Sequence, residues 1–241
     1  MIWENATLTT WGRSRHARVA AVLPADDAAV ADAVRSSHPR GIIAYGGGRC
    51  YGDAALDDGG QALMTRALNR IVSFDPASGE IVCEAGVTFA QLVHDYIPRG
   101  FCFPVSAATA AVTVGGAFAN DIHSKNHHDI GSFGDHVGWI DLMLASGEAV
   151  RCSREIEPEL FRASLGGIGL TGIVLRVAFR MMRIPSGAAD AHYRHIADMD
   201  EMIDTIEAER PRSGFLFGWT DAMARGGGLG RGILEIGNFA D

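Results

Sequence analysis

Six polar residues of different chemistry fall within eight positions near the middle of the chain: Asp121, His123, Lys125, Asn126, His127 and His128. An acid, a cation, an amide and several imidazoles could together move a proton, hold an anion or bind a metal. Apolar stretches bracket the cluster. Buried polar groups need partners, so a clustered set of them points to a site. Immediately before it runs Thr113-Val114-Gly115-Gly116-Ala117-Phe118-Ala119-Asn120. Val114 to Ala119 reads as the first turn of a short helix. Gly115 and Gly116 would let a ligand lie against the backbone, and the helix N-terminus would favour negative charge. Lys125 is the only lysine in the chain; the other basic residues are arginines.

Two further glycine-rich segments could hold a ligand. Gly46-Gly47-Gly48-Arg49-Cys50-Tyr51-Gly52-Asp53 follows an apolar run, Gly41 to Tyr45, that reads as a buried strand. A strand running into three glycines lets successive N–H groups turn toward one point, a nest for phosphate oxygens; a plain mobile loop is the competing reading. Gly167-Ile168-Gly169-Leu170-Thr171-Gly172 is a literal G-x-G-x-x-G, with Asp190 about where a ribose-binding acid would be sought. The dinucleotide fingerprint follows a strand and opens a helix. Here a helical pattern precedes the glycines and the strand beginning at Ile173 follows them, so the nicotinamide reading fails. A metal site at His123 and His127 would need a helix across Ser124 to Asn126, which those residues support poorly, and no cysteine or regularly placed carboxylate completes a familiar ligand set. Metal is not expected, and His127, His128 and His136 read as structural hydrogen-bonding groups.

The positioning elements follow from periodicity and turn residues. Asp26 caps an amphipathic helix over Asp27 to Ser37. Strands are predicted at Ile71 to Phe74 and Glu80 to Glu84, around Asp75-Pro76-Ala77-Ser78-Gly79. Thr88 and Gln91 have capping-box spacing and open a helix to about Ile97, closed near Gly100. Trp139 to Ala145 and Glu148 to Cys152 form a hairpin around Ser146-Gly147. Pro158 to Leu165 is helical, and Ile173 to Met182 is a strand of alternating apolar residues. After Pro185-Ser186-Gly187 the pattern changes to one helix, about Asp200 to Glu209, and strands near Phe215 to Trp219 and Gly232 to Ile236. Strands mixed with single helices define an α+β chain. A boundary near 185 divides residues 1–185 from residues 186–241, and the second unit, ending soon after a strand, reads as the truncated start of a further domain.

Composition narrows the function classes. The 241 residues are 47% hydrophobic, enough for a real core, and carry 21 basic against 29 acidic side chains, a net charge of -8. An acidic chain without a basic cluster cannot replace the counterions around nucleic-acid phosphates, so no nucleic-acid partner is expected. No apolar run approaches the roughly 18–20 residues of a spanning helix. Arg13, Arg15 and Arg18 precede only a short apolar stretch, Val19 to Leu23, that runs into Pro24 and Asp26, which is not a signal peptide. Cys50, Cys83, Cys102 and Cys152 show no C-x-x-C pairing, as in a reducing, cytoplasmic compartment.

Trp11-Gly12-Arg13, Gly46 to Asp53, Val114 to His128, Gly131-Ser132-Phe133-Gly134 and Gly166 to Gly172 occur in this order in one family. The chain resembles FAD-linked oxidoreductases of the vanillyl-alcohol-oxidase type, which carry a PCMH-type FAD-binding domain. Within them it is similar to the decaprenylphosphoryl-β-D-ribose oxidases of cell-wall arabinan precursor synthesis. The resemblance implies an FAD domain of two α/β subdomains over residues 1–185 and the start of a substrate (cap) domain over 186–241. Gly46, Gly47, Gly48, Arg49, Cys50, Tyr51, Gly52 and Asp53 would carry the pyrophosphate. Val114, Gly115, Gly116, Asn120, Asp121 and His123 would run beside the ribityl chain and ring, and Gly167, Gly169, Gly172 and Ile173 would hold the adenosine half. Many relatives bond flavin covalently through a histidine in the first loop. This loop has none, which implies non-covalent FAD.

The implied reaction is oxidation of a secondary alcohol of a sugar-type substrate, small or lipid-linked, with His123 and Lys125 as the in-chain catalytic candidates. A second redox subunit or another electron acceptor would reoxidise the flavin. A lipid-linked substrate would place the protein at the membrane periphery. Two departures from the family stand out. Its chains are nearly twice as long, and Asn120 and Ser124 stand where members of that branch often carry Cys and Gly. The alternatives are another flavin oxidase of the superfamily, acting on an alditol, an aldonolactone or a 2-hydroxy acid, and an inactive flavin-binding fragment.

Overall fold

A computed structural model describes residues 2–241. The chain begins with a hairpin, β1 (Glu4–Thr9) and β2 (His16–Val22), followed by α1 (Asp27–Arg35), β3 (Ile42–Tyr45) and β4 (Gln61–Met64). These strands form one sheet in the order β1-β2-β4-β3, with the hairpin antiparallel and β2, β4 and β3 parallel. Asp26 caps α1, its carboxylate accepting from the Ala29 N–H at 2.8 Å.

The second sheet is antiparallel, in the order β5-β6-β10-β8-β9. It comprises β5 (Ile71–Phe74), β6 (Glu80–Glu84), β8 (Val137–Met143), β9 (Ala149–Ser153) and β10 (Ile173–Arg180). Between β6 and β8 lie α2 (Phe89–Tyr96), β7 (Phe101–Cys102), α3 (Val114–Ala119) and α4 (His127–Ile130); α5 (Pro158–Ser164) precedes β10, and β11 (Met182–Arg183) pairs with β7. The Thr88 hydroxyl caps α2 as expected, but the Gln91 side chain turns away to the Asn69 carbonyl instead of closing the box.

β10 corrects the expected alternation, because nearly every residue from Ile173 to Phe179 is buried. One face contributes Val174, Val177 and Phe179 to the main core, with Phe89, Phe118, Phe133 and Phe161. The other gives Ile173 and Leu175 to a second core that includes Val30, Ala33 and Val34 of α1 with Val22 and Leu63. A strand covered on both faces needs apolar residues at every position. The same β10–α1 contact joins the two sheets: Arg176 reaches Asp27 of α1 at 2.7 Å and Asp141 of β8 at 3.4 Å.

The last segment builds a third sheet, β12-β14-β13, from β12 (Ala189–Ile196), β13 (Phe215–Thr220) and β14 (Gly232–Phe239). The helix α6 (Met199–Glu209) packs Met202 and Ile206 on one face, against Ile196, Leu216, Leu234 and Ile236. Register places Tyr193, Glu235 and Phe217 in one row of the opposite face, with His195, Ile233 and Trp219 in the next. Tyr193, Ile233 and Trp219 are exposed there. The sequence reading missed β1, β2, β4, β7, β12 and α4. In β12 only Ile196 is buried, so no apolar pattern marks it. The run Val19 to Leu23, read only as a failed signal peptide, belongs largely to β2.

Candidate functional site

A cleft opens between the first two sheets. It leaves about 280 Å³ to the centre of a water molecule and is lined mainly by glycine, alanine and backbone. Three segments far apart in sequence meet there. The first contributes Gly46, Gly48, Arg49, Cys50 and Tyr51, the second Gly115, Gly116, Asn120 and Ile122, and the third Ile168, Gly169 and Gly172. The fold thus brings together part of each glycine-rich segment singled out in the sequence.

The first loop is held from behind. The Trp11 N–H donates to the Cys50 carbonyl at 3.1 Å, and the Thr10 hydroxyl donates to the Gly52 carbonyl at 2.7 Å. The Tyr45 hydroxyl donates to the Thr9 carbonyl at 2.6 Å and lies against Gly48, where φ is +61° and any Cβ would collide with that hydroxyl. Only glycine meets both demands. With the carbonyls tied back, no backbone N–H from Gly47 to Asp53 donates a hydrogen bond within the described residues. Amides left without a protein partner beside a cleft are free to bond an anion or water. Burial pushes the Tyr45 phenol up, so it stays a neutral donor at physiological pH.

The second segment behaves differently. Thr113 caps α3, its hydroxyl accepting from the Gly116 N–H at 3.3 Å. The Val114 N–H donates to the Val87 carbonyl at 2.8 Å and the Gly115 N–H to the Ala85 carbonyl at 2.9 Å. The turn expected to aim its amides at a negative charge therefore has none to spare, because the β6–α2 connection already satisfies them. Val114 is buried in the core, and a Cβ on Gly115 would press on Ala85 at 2.6 Å. Gly116 has only the Thr113 hydroxyl near its absent side chain, so it leaves room on the cleft side.

Asp121 is a bracket and does not line the cleft. Its carboxylate accepts from the Gly134 N–H and the Ser132 hydroxyl, both at 2.9 Å. His123 is exposed, next in sequence to the cleft-lining Ile122, with its ring 5.6 Å from that of His127. Lys125 is also outside the lining. Its ammonium lies 3.4 Å from Glu235 and 4.5 Å from the Phe217 ring centre on the third sheet. Asn126 is buried and donates to the Pro104 carbonyl at 3.0 Å. The His136 ring meets the Ile130 carbonyl at 2.9 Å, whereas the buried Nε2 of His128 has no hydrogen-bond partner among the described residues.

In the first loop Gly47 packs against the Ala111 carbonyl, and Asp53 pairs with Arg15 at 3.3 Å. In the third segment Gly167 abuts the Ala163 carbonyl, and Ile173 is a buried β10 residue. Ile168 carries the feature that sequence inspection cannot see. It is β-branched yet sits at φ +57°, held by its N–H bond to the Ala119 carbonyl at 2.8 Å, with its side chain at the cleft. Backbone strain of that kind persists where surrounding structure imposes it. Ala54, Ala55, Thr65, Ala85, Val112 and Val174 also line the cleft and went unnoticed, since small or apolar residues in ordinary elements carry no signal of their own.

A cleft lined largely by glycine and alanine and bordered by a loop with unpaired amides, set between a mixed sheet and an antiparallel one, suits a phosphate-bearing dinucleotide held without a Rossmann turn. The chain belongs to the FAD binding domain family, which it matches over residues 19–153. It is 36% identical, over 97% of its length, to the decaprenylphosphoryl-beta-D-ribose oxidase of Mycolicibacterium smegmatis, covering 52% of that protein. It is 31% identical over 46% of its length to a putative D-arabinono-1,4-lactone oxidase of Neurospora crassa, covering 20% of it. The L-gulonolactone oxidase of Bos taurus is 27% identical over 58% of the chain, with 31% of that enzyme covered. The chain spans about half the length, or less, of these curated relatives. The α+β fold is that of the PCMH-type domain expected from the motifs. Among the described residues no helix is long and apolar enough to cross a membrane.

Proposed function

We propose that this chain is the FAD-binding part of an oxidoreductase that oxidises a secondary alcohol of a sugar-type substrate, with FAD bound non-covalently in the cleft. The observation that carries this reading is a glycine- and alanine-rich cleft bordered at Gly48, Arg49, Cys50 and Tyr51 by a loop whose amides have no partner among the described residues. Those amides suit a pyrophosphate. Gly116 and Asn120 border the space for the ribityl chain, and Ile168, Gly169 and Gly172 border the space for the adenosine half. Residues 1–185 are the FAD unit, and the sheet of residues 186–241 belongs to a substrate unit.

Bound flavin would accept a hydride from the substrate carbon, chemistry the protein itself cannot supply. The residues then have three tasks: to hold the dinucleotide, to take the hydroxyl proton and to stabilise negative charge on the reduced ring. His123, one residue beyond Ile122, is our candidate for the proton or for orienting the hydroxyl, since an imidazole can both accept and donate a proton. Lys125 is the in-chain cation, although its ammonium is already shared between Glu235 and Phe217.

The coverage of 97% of this chain by a decaprenylphosphoryl-beta-D-ribose oxidase favours a pentose, carried on a polyprenyl phosphate, as substrate. The lactone oxidases among the relatives favour a second reading, a sugar lactone or related polyol. Apo-protein titrated with FAD should quench flavin fluorescence, and acid precipitation should leave the yellow colour in the supernatant. Colour in the pellet would overturn the non-covalent assignment and direct attention to Cys50, the thiol at the cleft. Absence of any binding would overturn the whole reading. With flavin loaded, bleaching by a pentose-phosphate lipid but not by lactones would separate the two substrate classes.

A further inference from the structure

Lys125 makes three contacts with the third sheet and none with the cleft. Its carbonyl accepts from the Leu216 N–H at 2.9 Å. Its ammonium stands 3.4 Å from one Glu235 oxygen and 3.5 Å from the other, and 4.5 Å above the Phe217 ring. Phe217 and Glu235 are cross-strand partners on the face of the sheet that α6 leaves bare.

The other end of the same short segment belongs to the cleft. Asn120 and Ile122 line it. From Asp121 to Asn126 the segment is held by hydrogen bonds that are mostly part-buried. Asp121 is fixed by Gly134 and Ser132, the Ile122 carbonyl accepts from the Phe133 N–H at 2.8 Å, and Asn126 holds both the Ser124 hydroxyl and the Pro104 carbonyl. A segment tied to its surroundings at Asp121, Ile122 and Asn126 has little freedom to deform internally. Displacement at Lys125 must then shift Ile122 and Asn120, since packed structure does not deform freely.

We propose that Lys125 and Glu235 form a latch through which docking of the third sheet and binding of flavin in the cleft strengthen each other. Glu235 is a positioning residue acting through Lys125 on Asn120 and Ile122. This inference rests on the reading of the cleft as the flavin site. Coupling between two sites is reciprocal, so flavin must tighten the sheet by the factor the sheet tightens flavin. The side chains of Lys125 and Glu235 are 44% and 25% exposed, so the pair is only partly shielded from water and its effect is moderate.

The test is a charge swap read by FAD fluorescence titration and by amide hydrogen exchange. Lys125→Glu and Glu235→Lys each place like charges together and should weaken FAD binding roughly fivefold. The double swap should restore affinity to within about twofold, since only a direct pair behaves so in a double-mutant cycle. In the wild type, FAD should slow exchange at Leu216 and along β13 and β14. Unchanged FAD affinity in folded single variants, or a double swap as weak as the singles, overturns the latch. Should a reversal fail to fold, the wild-type exchange decides: slower exchange at Leu216 with FAD supports the coupling, and unchanged exchange overturns it. A wild type that does not bind FAD at all overturns the flavin reading itself, a result distinct from binding without coupling.

Discussion

The loop from Gly46 to Asp53 and the turn from Thr113 to Gly116 border one cleft and use their backbones in opposite ways. In the loop, carbonyls are tied back by Thr10 and Trp11 and the amides are free. In the turn, the amides are consumed by Val87, Ala85 and the Thr113 hydroxyl, and glycine serves close packing and empty space. Both look alike in sequence, as adjacent glycines beside an apolar run. The difference lies in what stands behind each. A strand end braces the loop through its acceptors, whereas the β6–α2 connection engages the turn through its donors. Glycine near a phosphate-sized cleft therefore does not by itself mark the anion site; the direction of the neighbouring hydrogen bonds does.

The largest effect expected from this contrast is at Gly48. Gly48→Val places a β-branched residue at φ +61° against the Tyr45 hydroxyl, rearranging the loop and its free amides. FAD affinity should fall by roughly 100-fold or more, about 2.7 kcal/mol. Gly116→Val should also abolish tight binding, by filling the cleft and not by disturbing the amides. The two can be told apart with pyrophosphate alone as competitor against FAD in the wild type and as ligand for each variant. Gly116→Val should still bind it and Gly48→Val should not. Equal pyrophosphate binding by both would erase the distinction between loop and turn.

His123→Ala tests whether the reacting end lies beyond Ile122. In an enzyme carrying this domain, FAD should stay bound while single-turnover flavin reduction falls by roughly 10²-fold, the scale of lost acid–base help. Weaker FAD with a normal reduction rate would make His123 a structural residue of the loop.

Thr113→Val is smaller and acts mainly on stability, because valine keeps the shape of the threonine side chain at the cleft. Losing the cap of α3 should cost about 1 kcal/mol, lowering the melting temperature by about 2–4 °C in a domain of this size. Because the turn supplies no amides to the ligand, FAD affinity should change by less than about threefold. A large loss of affinity without loss of stability would return an anion-binding role to α3.

The smallest effect concerns Glu84, just before Ala85 on the β6–α2 connection that consumes the turn's amides. Burial pushes its carboxyl up, but three hydrogen bonds from Arg70, at 2.6, 2.8 and 3.0 Å, outweigh that and hold it below its ordinary value of 4.5. A carboxyl lowered in the folded state adds stability above its unfolded value, and that stability disappears as pH falls through the folded value. Thermal melts between neutral pH and pH 3 should therefore decline below about pH 4.5, and less steeply in Glu84→Gln. Parallel curves would remove Glu84 from the account.

Much of the frame was legible from local pattern. The Asp26 cap, the Asp75–Gly79 turn, the Ser146-Gly147 hairpin and the short helix at Val114 all form where short-range signals place them, because caps and tight turns depend on residues three or four apart. β12 and the buried character of β10 were not legible, because each depends on what covers the strand. The three glycine-rich segments could be picked out one at a time, but the roles of their residues could not. Asp121 looked like a ligand and became a bracket, while Ile168, given no role within its glycine run, lines the cleft in a strained conformation. Lys125 stood out as the only lysine, yet its partners lie 92 and 110 positions away, at Phe217 and Glu235.

By itself the sequence determined most of the helices, the hairpins with marked turns and the family, since these follow from spacing within a turn, a strand or a motif. Only the tertiary structure decided which amides remain free, which glycine leaves room and which charge meets which. Those outcomes depend on the direction of hydrogen bonds and on contacts between segments far apart along the chain, which no local pattern of residues encodes.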